Sequence, residues 1–155
     1  MRKLAVIGFI FFFLLASKAW GQSQIYHETT FKSTDLNHVF QRGIVISGIT
    51  AGQNGWGYAC CNDQIVRRFH LATGRWEPIL QHEQWPKSIV YCPEKAKLFS
   101  GGHDGQVIIW SSKNGTVDRI QVDFPIRSID IDATGNRLVV AGVGSEIRTY
   151  HHRLS

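Results

Sequence analysis

Ser100, His82 and Asp104 have the composition of a hydrolytic relay. A serine hydroxyl becomes a nucleophile when an imidazole takes its proton and a carboxylate orients that imidazole. The flanking residues argue against this use. Ser100-Gly101-Gly102 lacks the Gly-x-Ser-x-Gly of a nucleophile elbow. Gly101 to Gly105 is not followed by the Gly-Lys-Ser/Thr of a phosphate loop. Asp130 and Asp132 alternate with Ile129 and Ile131, so both carboxylates are expected on one side of a strand. Such a pair can do acid–base work, and it equally suits the polar face of a strand. Cys60 and Cys61 are adjacent, and in a strand their side chains point to opposite faces. Pairing of Cys92 with either of them stays open beside the reading of all three as buried thiols. There is no Cys-x-x-Cys, and His151-His152 reads as a solvated tail, so no metal and no cofactor are expected. Asn114-Gly115-Thr116 matches a glycosylation acceptor and also reads as a turn.

The elements that must position these residues are strands. Ile89 and Tyr91 share one side of an extended segment, and Leu98-Phe99 and Val107-Ile108-Ile109 are short β-rich runs. Asp104-Gly105 between the last two predicts a two-residue hairpin. The pattern recurs 40 positions on, where Ile129, Ile131, Leu138-Val139, Gly142, Ile147 and Tyr150 repeat Ile89, Tyr91, Leu98-Phe99, Gly102, Val107 and Trp110. A weaker copy lies 41 positions upstream, where Asp63 to Phe69 matches Asp104 to Trp110. Repeats of this length point to a solenoid or a propeller. The first copy predicts strands near 44–49, 56–61, 64–69 and 75–80, and no helix is needed anywhere after residue 21.

These residues resemble the WD-repeat β-propellers over positions 38 to 155. The middle copy carries the resemblance, through His82, Ser88, Ile89, Tyr91, Pro93, Ser100, Asp104 and Trp110. The resemblance implies that His82, Ser100, Asp104 and Trp110 form a structural hydrogen-bond set buried in one blade, with no catalytic residue among them. Departures are visible. Gln81 replaces a glycine and Ser111 replaces the aspartate of the eponymous dipeptide. The third copy has Val122, Val140, Gly144 and Tyr150, and the first has Ala59 and Phe69. The implied fold is all-β: an incomplete β-propeller of about three four-stranded antiparallel blades, at 44–81, 82–122 and 123–155, the last lacking its outer strand. Asp63 and Gly105 fall in turns. Trp85 lies in an inter-blade loop, and tryptophan is enriched in interface hot spots, which makes it the candidate partner contact.

Residues 1–21 read as a secretory signal. Arg2 and Lys3 precede an apolar run from Leu4 to Ala16, which is short for a membrane span, and Ala19-Trp20-Gly21 is a small-x-small cleavage site. The expected localisation is secreted or periplasmic, with no membrane attachment after cleavage. Residues 22–43 form a leader, with Ile25 to Phe31 a candidate closing strand. The formal charge of +5 falls to +2 once Arg2, Lys3 and Lys18 leave. A nucleic-acid surface needs a denser basic face, so no nucleic-acid partner is expected. A full propeller takes about four to eight blades, and three are visible. The expected function is therefore an exported, non-catalytic module for protein–protein interaction, with self-association as one way to close the ring. The alternatives are a fragment of a larger propeller and a propeller enzyme with a channel active site.

Overall fold

The computed structural model describes residues 44–151. The expected secretory signal, the expected leader with its candidate closing strand, and His152 lie outside the described residues. All described residues belong to one compact unit, Phe31–Ser155.

Short apolar runs separated by tight turns, several with a glycine, produce eleven strands among the described residues: β1 Ile46–Ala51, β2 Trp56–Cys61, β3 Ile65–His70, β4 Trp76–Gln81, β5 Pro86–Cys92, β6 Lys97–Gly102, β7 Gln106–Ser111, β8 Val117–Gln121, β9 Ile126–Ile131, β10 Arg137–Gly142 and β11 Ile147–His151. They form three meanders, β1-β2-β3-β4, β5-β6-β7-β8 and β9-β10-β11, antiparallel throughout. The third blade has three strands among the described residues. The first strand lies two residues later than its spacing predicts, and the other strands of blade one lie within one residue of expectation. The β6–β7 connection differs from the two-residue hairpin expected at Asp104-Gly105. Gly101 pairs with Val107, and the loop is His103–Asp104–Gly105. Gly105 holds φ at 71° and its N–H closes on Gly102 O at 3.1 Å, the three-residue form in which the last loop residue is left-handed.

Period-2 alternation gives blade two a face toward each neighbour. Ile89, Tyr91, Leu98, Ile108 and Trp110 pack with Tyr58, Cys60, Val66 and Leu80 of blade one. Cys92, Phe99, Val107 and Ile109 pack with Ile126, Ile129, Leu138 and Val140 of blade three. Aromatic contacts tighten the first seam, where the Tyr58 and Tyr91 rings stack at 5.3 Å. Polar side chains of the innermost strands stitch blade to blade. Ser47 Oγ donates to Pro86 O at 2.6 Å, and Ile129 N donates to Ser88 Oγ at 3.1 Å.

Antiparallel order sends the turns to two ends of the sheets. The loops 82–85, 103–105 and 122–125 share one end. The turns 52–55, 71–75, 93–96, 112–116 and 132–136 share the other.

Candidate functional site

Asp104 stands in the β6–β7 loop and organises the first of these ends. Its carboxylate accepts from His82 Nδ1 at 2.9 Å, from Glu83 N at 2.9 Å and from Gln106 N at 3.0 Å. One side chain thus ties the β4–β5 loop to the β6–β7 hairpin. The other imidazole nitrogen, Nε2, lies 2.9 Å from Ser100 Oγ. The His82 side chain is fully buried and that of Asp104 nearly so. Burial lowers the His82 pKa from its usual value, against the opposing pull of Asp104. The ring is therefore neutral near pH 7. A carboxylate cannot donate, so Nδ1 carries the proton and Nε2 accepts from the Ser100 hydroxyl. Gly102 makes room for the pair, since a Cβ there would lie 2.7 Å from both Asp104 Oδ1 and His82 Nδ1.

The relay has the connectivity of a hydrolytic triad but no access to substrate. Ser100 is 0% exposed, closed in by the packed sheet. A nucleophile must reach a carbonyl carbon, and this hydroxyl can reach only its imidazole. The arrangement satisfies buried polar groups and locks two loops together. Trp110 corrects the expected four-membered set. Among the described residues the hydrogen-bond chain comprises His82, Ser100 and Asp104, while Trp110 packs edge-on to Tyr58 at 6.0 Å within the first seam.

The other copies solve the same position differently. In blade one, Asp63 accepts from Ile65 N at 3.3 Å, as Asp104 does from Gln106, but its side chain pairs with Arg67, with Nη1 at 2.8 Å from Oδ1. Arg67 is 4% exposed, and its charge opposes the rise that burial gives the Cys61 thiol pKa. Burial raises the Asp63 carboxyl, and the Arg67 hydrogen bond and charge outweigh it, leaving the pKa below the usual range. The sequence signalled Asp63 as a turn residue but not Arg67, which sits on a strand with no local mark of its role. In blade three the equivalents of His82 and Ser100 are Val122 and Val140, both buried. The Phe124 ring lies against Gly142, where a Cβ would come within 2.1 Å of it. An aromatic ring thus fills the place that the imidazole–carboxylate pair takes beside Gly102.

The remaining candidates separate. Cys60, Cys61 and Cys92 are free and buried. Cys60 belongs to the first seam and Cys92 to the second, so no disulfide joins them. Asp130 and Asp132 are both exposed and are engaged by separate backbone groups, Asp130 Oδ1 accepting from Ile131 N at 2.8 Å. Asp132 lies past the end of β9 and caps the turn, accepting from Asn136 N at 2.8 Å, Arg137 N at 3.0 Å and Thr134 Oγ1 at 2.9 Å. Those bonds, the one from Arg137 first, hold its pKa below the usual value.

Trp85 is half-buried at the same end as Asp104. The Lys87 ammonium sits over its ring at 3.1 Å from the centroid, and His103 lies beside it at 6.2 Å. Among the described residues, Trp85 Nε1 and His103 Nε2 are both shielded and have no hydrogen-bond partner. Burial, then Lys87 and Arg127, lower the His103 pKa against Asp104. A polar groove of about 620 Å³ opens at this end, lined by Gln64, Gln81, His82, Glu83, Gln106 and Arg119.

No family model matches the chain. In the crystal structure of the WD40 β-propeller domain of Doa1, 37% of that chain superposes on 70% of this one, with a TM-score of 0.64 and 23% sequence identity. The fold is that of a WD40 β-propeller, present in part. The propeller relationship extends to sequence. The protein transport protein SEC13 homolog B of Arabidopsis thaliana is 30% identical over 102 residues, covering 57% of this chain and 34% of the relative. The chain thus spans about a third of the length of that curated relative.

Proposed function

We propose that this partial propeller is an exported, non-catalytic module that binds a protein partner at the end of the sheets carrying Trp85. The observation that carries this reading is the pair of shielded, unpartnered ring nitrogens, Trp85 Nε1 and His103 Nε2, side by side at one end of the blades. Leaving a buried polar atom unpaired costs about 1–3 kcal/mol. A carbonyl or carboxylate of a partner, admitted as Lys87 swings off the indole, supplies the missing acceptor. The adjoining polar groove extends the contact surface toward Arg119. The relative's name places it in protein transport, which accords with a recognition role. Export is supported by the apolar segment Leu4 to Ala16 behind Arg2 and Lys3.

The test is affinity capture with the full tagged chain secreted from a eukaryotic host, beside Trp85→Ala. Both proteins are first shown by circular dichroism to hold the same β-structure. A reproducible partner lost with Trp85→Ala supports the assignment. A partner retained equally by both variants places binding elsewhere, and the absence of any reproducible partner removes the binding reading.

A second reading, in which the chain works as part of a larger propeller, draws on its covering only 34% of the relative. Light scattering on a sizing column separates the two. A discrete folded species supports an independent module, and heterogeneous association supports the larger assembly.

A further inference from the structure

The turn between β7 and β8 carries a feature that the packing of the blades does not use. Asn114-Gly115-Thr116 is the only Asn-x-Ser/Thr triplet among the five asparagines of the chain. All three residues are exposed. Thr116 Oγ1 donates to Asn114 Oδ1 at 2.9 Å, and Thr116 N donates to the same oxygen at 3.2 Å. Both bonds fall on the carbonyl side of the carboxamide, which leaves the amide nitrogen Nδ2 for a reaction partner. Gly115 holds φ at 73°, and a Cβ there would meet nothing within 4 Å, so the space beside the asparagine is open. The corresponding turn of blade one, Ala72-Thr73-Gly74, has the same left-handed glycine but no asparagine.

We propose that Asn114 is an N-glycosylation site that marks the end of the propeller opposite Trp85. The inference rests on the export reading, because the donor is a lipid-linked oligosaccharide diphosphate presented on the far side of a membrane. In the transfer, Asn114 Nδ2 attacks the anomeric carbon of the first sugar. An N–C bond forms, the C–O bond to the diphosphate breaks, the lipid diphosphate leaves with the electron pair, and the amide gives up one proton. Nothing is oxidised or reduced. The turn sits at the end of the sheets shared with 93–96 and 132–136, on the outer side of blade two. A glycan there clears both inter-blade seams and leaves the loops 82–85 and 103–105 free for a partner. It also shields the exposed β8 strand, where Val117 is 44% exposed.

The experiment translates the full chain in the presence of microsomes, in two forms: with its own residues 1–21, and with those residues replaced by a cleavable signal of established function. Protease protection reports translocation, and an amidase that removes N-linked glycans reports modification. With both leaders the expected product is protected and carries one amidase-sensitive glycan, which Asn114→Gln and Thr116→Ala abolish and Thr116→Ser retains. A chain protected only with the replacement leader, yet glycosylated at Asn114, overturns the export reading and upholds the acceptor. A protected chain without a glycan under either leader overturns the acceptor. A glycan that survives Asn114→Gln overturns it as well.

Discussion

Blades two and three share a backbone and differ in what they do with it. His82 N donates to Gln64 O at 2.9 Å where blade one meets blade two, and Val122 N donates to Gly105 O at 2.8 Å where blade two meets blade three. His103 N bonds Trp85 O at 3.0 Å, and its counterpart Val143 N bonds Pro125 O at 3.2 Å. The side chains then diverge. Blade two turns Val90, Cys92, Phe99 and Ile109 toward blade three, and all four join the second seam. The same positions of blade three are Asp130, Asp132, Val139 and Thr149, of which only Val139 is even half-buried. Blade two is a two-faced core layer. Blade three buries one face, and its other face carries the exposed Asp130, Asp132 and Thr149 beside the exposed Ile147. Backbone geometry is therefore repeated, while burial is assigned blade by blade.

The sharpest way to break this comparison is to cut the same position in both blades. Phe99→Ala removes a side chain that is 2% exposed between two blades and should cost about 3–5 kcal/mol. Val139→Ala, its half-buried counterpart, should cost less than about 1 kcal/mol. Urea unfolding followed by tryptophan fluorescence measures both, and equal losses would mean that blade three is buried as deeply as blade two. Next in size is Asp104→Ala, which strands the buried His82 Nδ1–H and two backbone amides. It should cost about 1–3 kcal/mol. Unchanged stability would remove Asp104 as the tie between the two loops.

The same relay has a pH signature. Burial lowers the His82 pKa in the folded chain, while the unfolded chain takes up a proton near pH 6.5. Protons then bind the unfolded state more readily, so stability is greatest above about pH 6.5 and falls as the pH drops toward the depressed folded value. His103 adds in the same direction. Denaturation midpoints at pH 7.5 and 5.5 should show this loss, and His82→Gln should reduce it. A midpoint that rises on acidification would show that His82 is protonated in the fold.

Blade one supplies a gentler test. Gln64 occupies the position of Gly105 and holds φ at 71°, a conformation that costs a residue with a Cβ roughly 1 kcal/mol. Gln64→Gly should raise stability by up to about 1 kcal/mol in the same urea assay, and a loss would mean that the glutamine side chain outweighs the strain. The smallest expected effect is on stability in Thr149→Ile, which should stay within about 0.5 kcal/mol because Thr149 is exposed. Its readout is association. An added apolar group beside Ile147, already 70% exposed, should raise the mean mass seen by light scattering. No change would show that this face tolerates apolar surface.

Much of this architecture was legible before any coordinates. The period-2 runs around Leu98-Phe99 and Val107 to Ile109 became β6 and β7, because strand alternation is local and survives any packing. The 40-residue recurrence matched Leu138 to Leu98 and Tyr150 to Trp110 for the same reason. His82, Ser100 and Asp104 were legible as a set through the resemblance to the WD-repeat propellers, which implies a buried hydrogen-bond set at these positions. Less was legible where a role depends on what lies across a seam. Nothing near Arg67 announces that it replaces an imidazole as the partner of Asp63, and nothing near Phe124 announces that it fills the space beside Gly142. Nothing in the alternation of Asp130 and Asp132 announces that the second of them caps the turn after β9.

The strands and their repeat follow from the order of residues along the chain, because alternation, turn glycines and repeat length are properties of neighbours. It took the packed blades to show that Trp110 packs against Tyr58 rather than extending the relay, and that Trp85 and His103 keep two nitrogens unpaired among the described residues. Those outcomes depend on which blade covers which face. Solvent exclusion is a property of surfaces brought together from residues about 40 positions apart, and no local pattern encodes it.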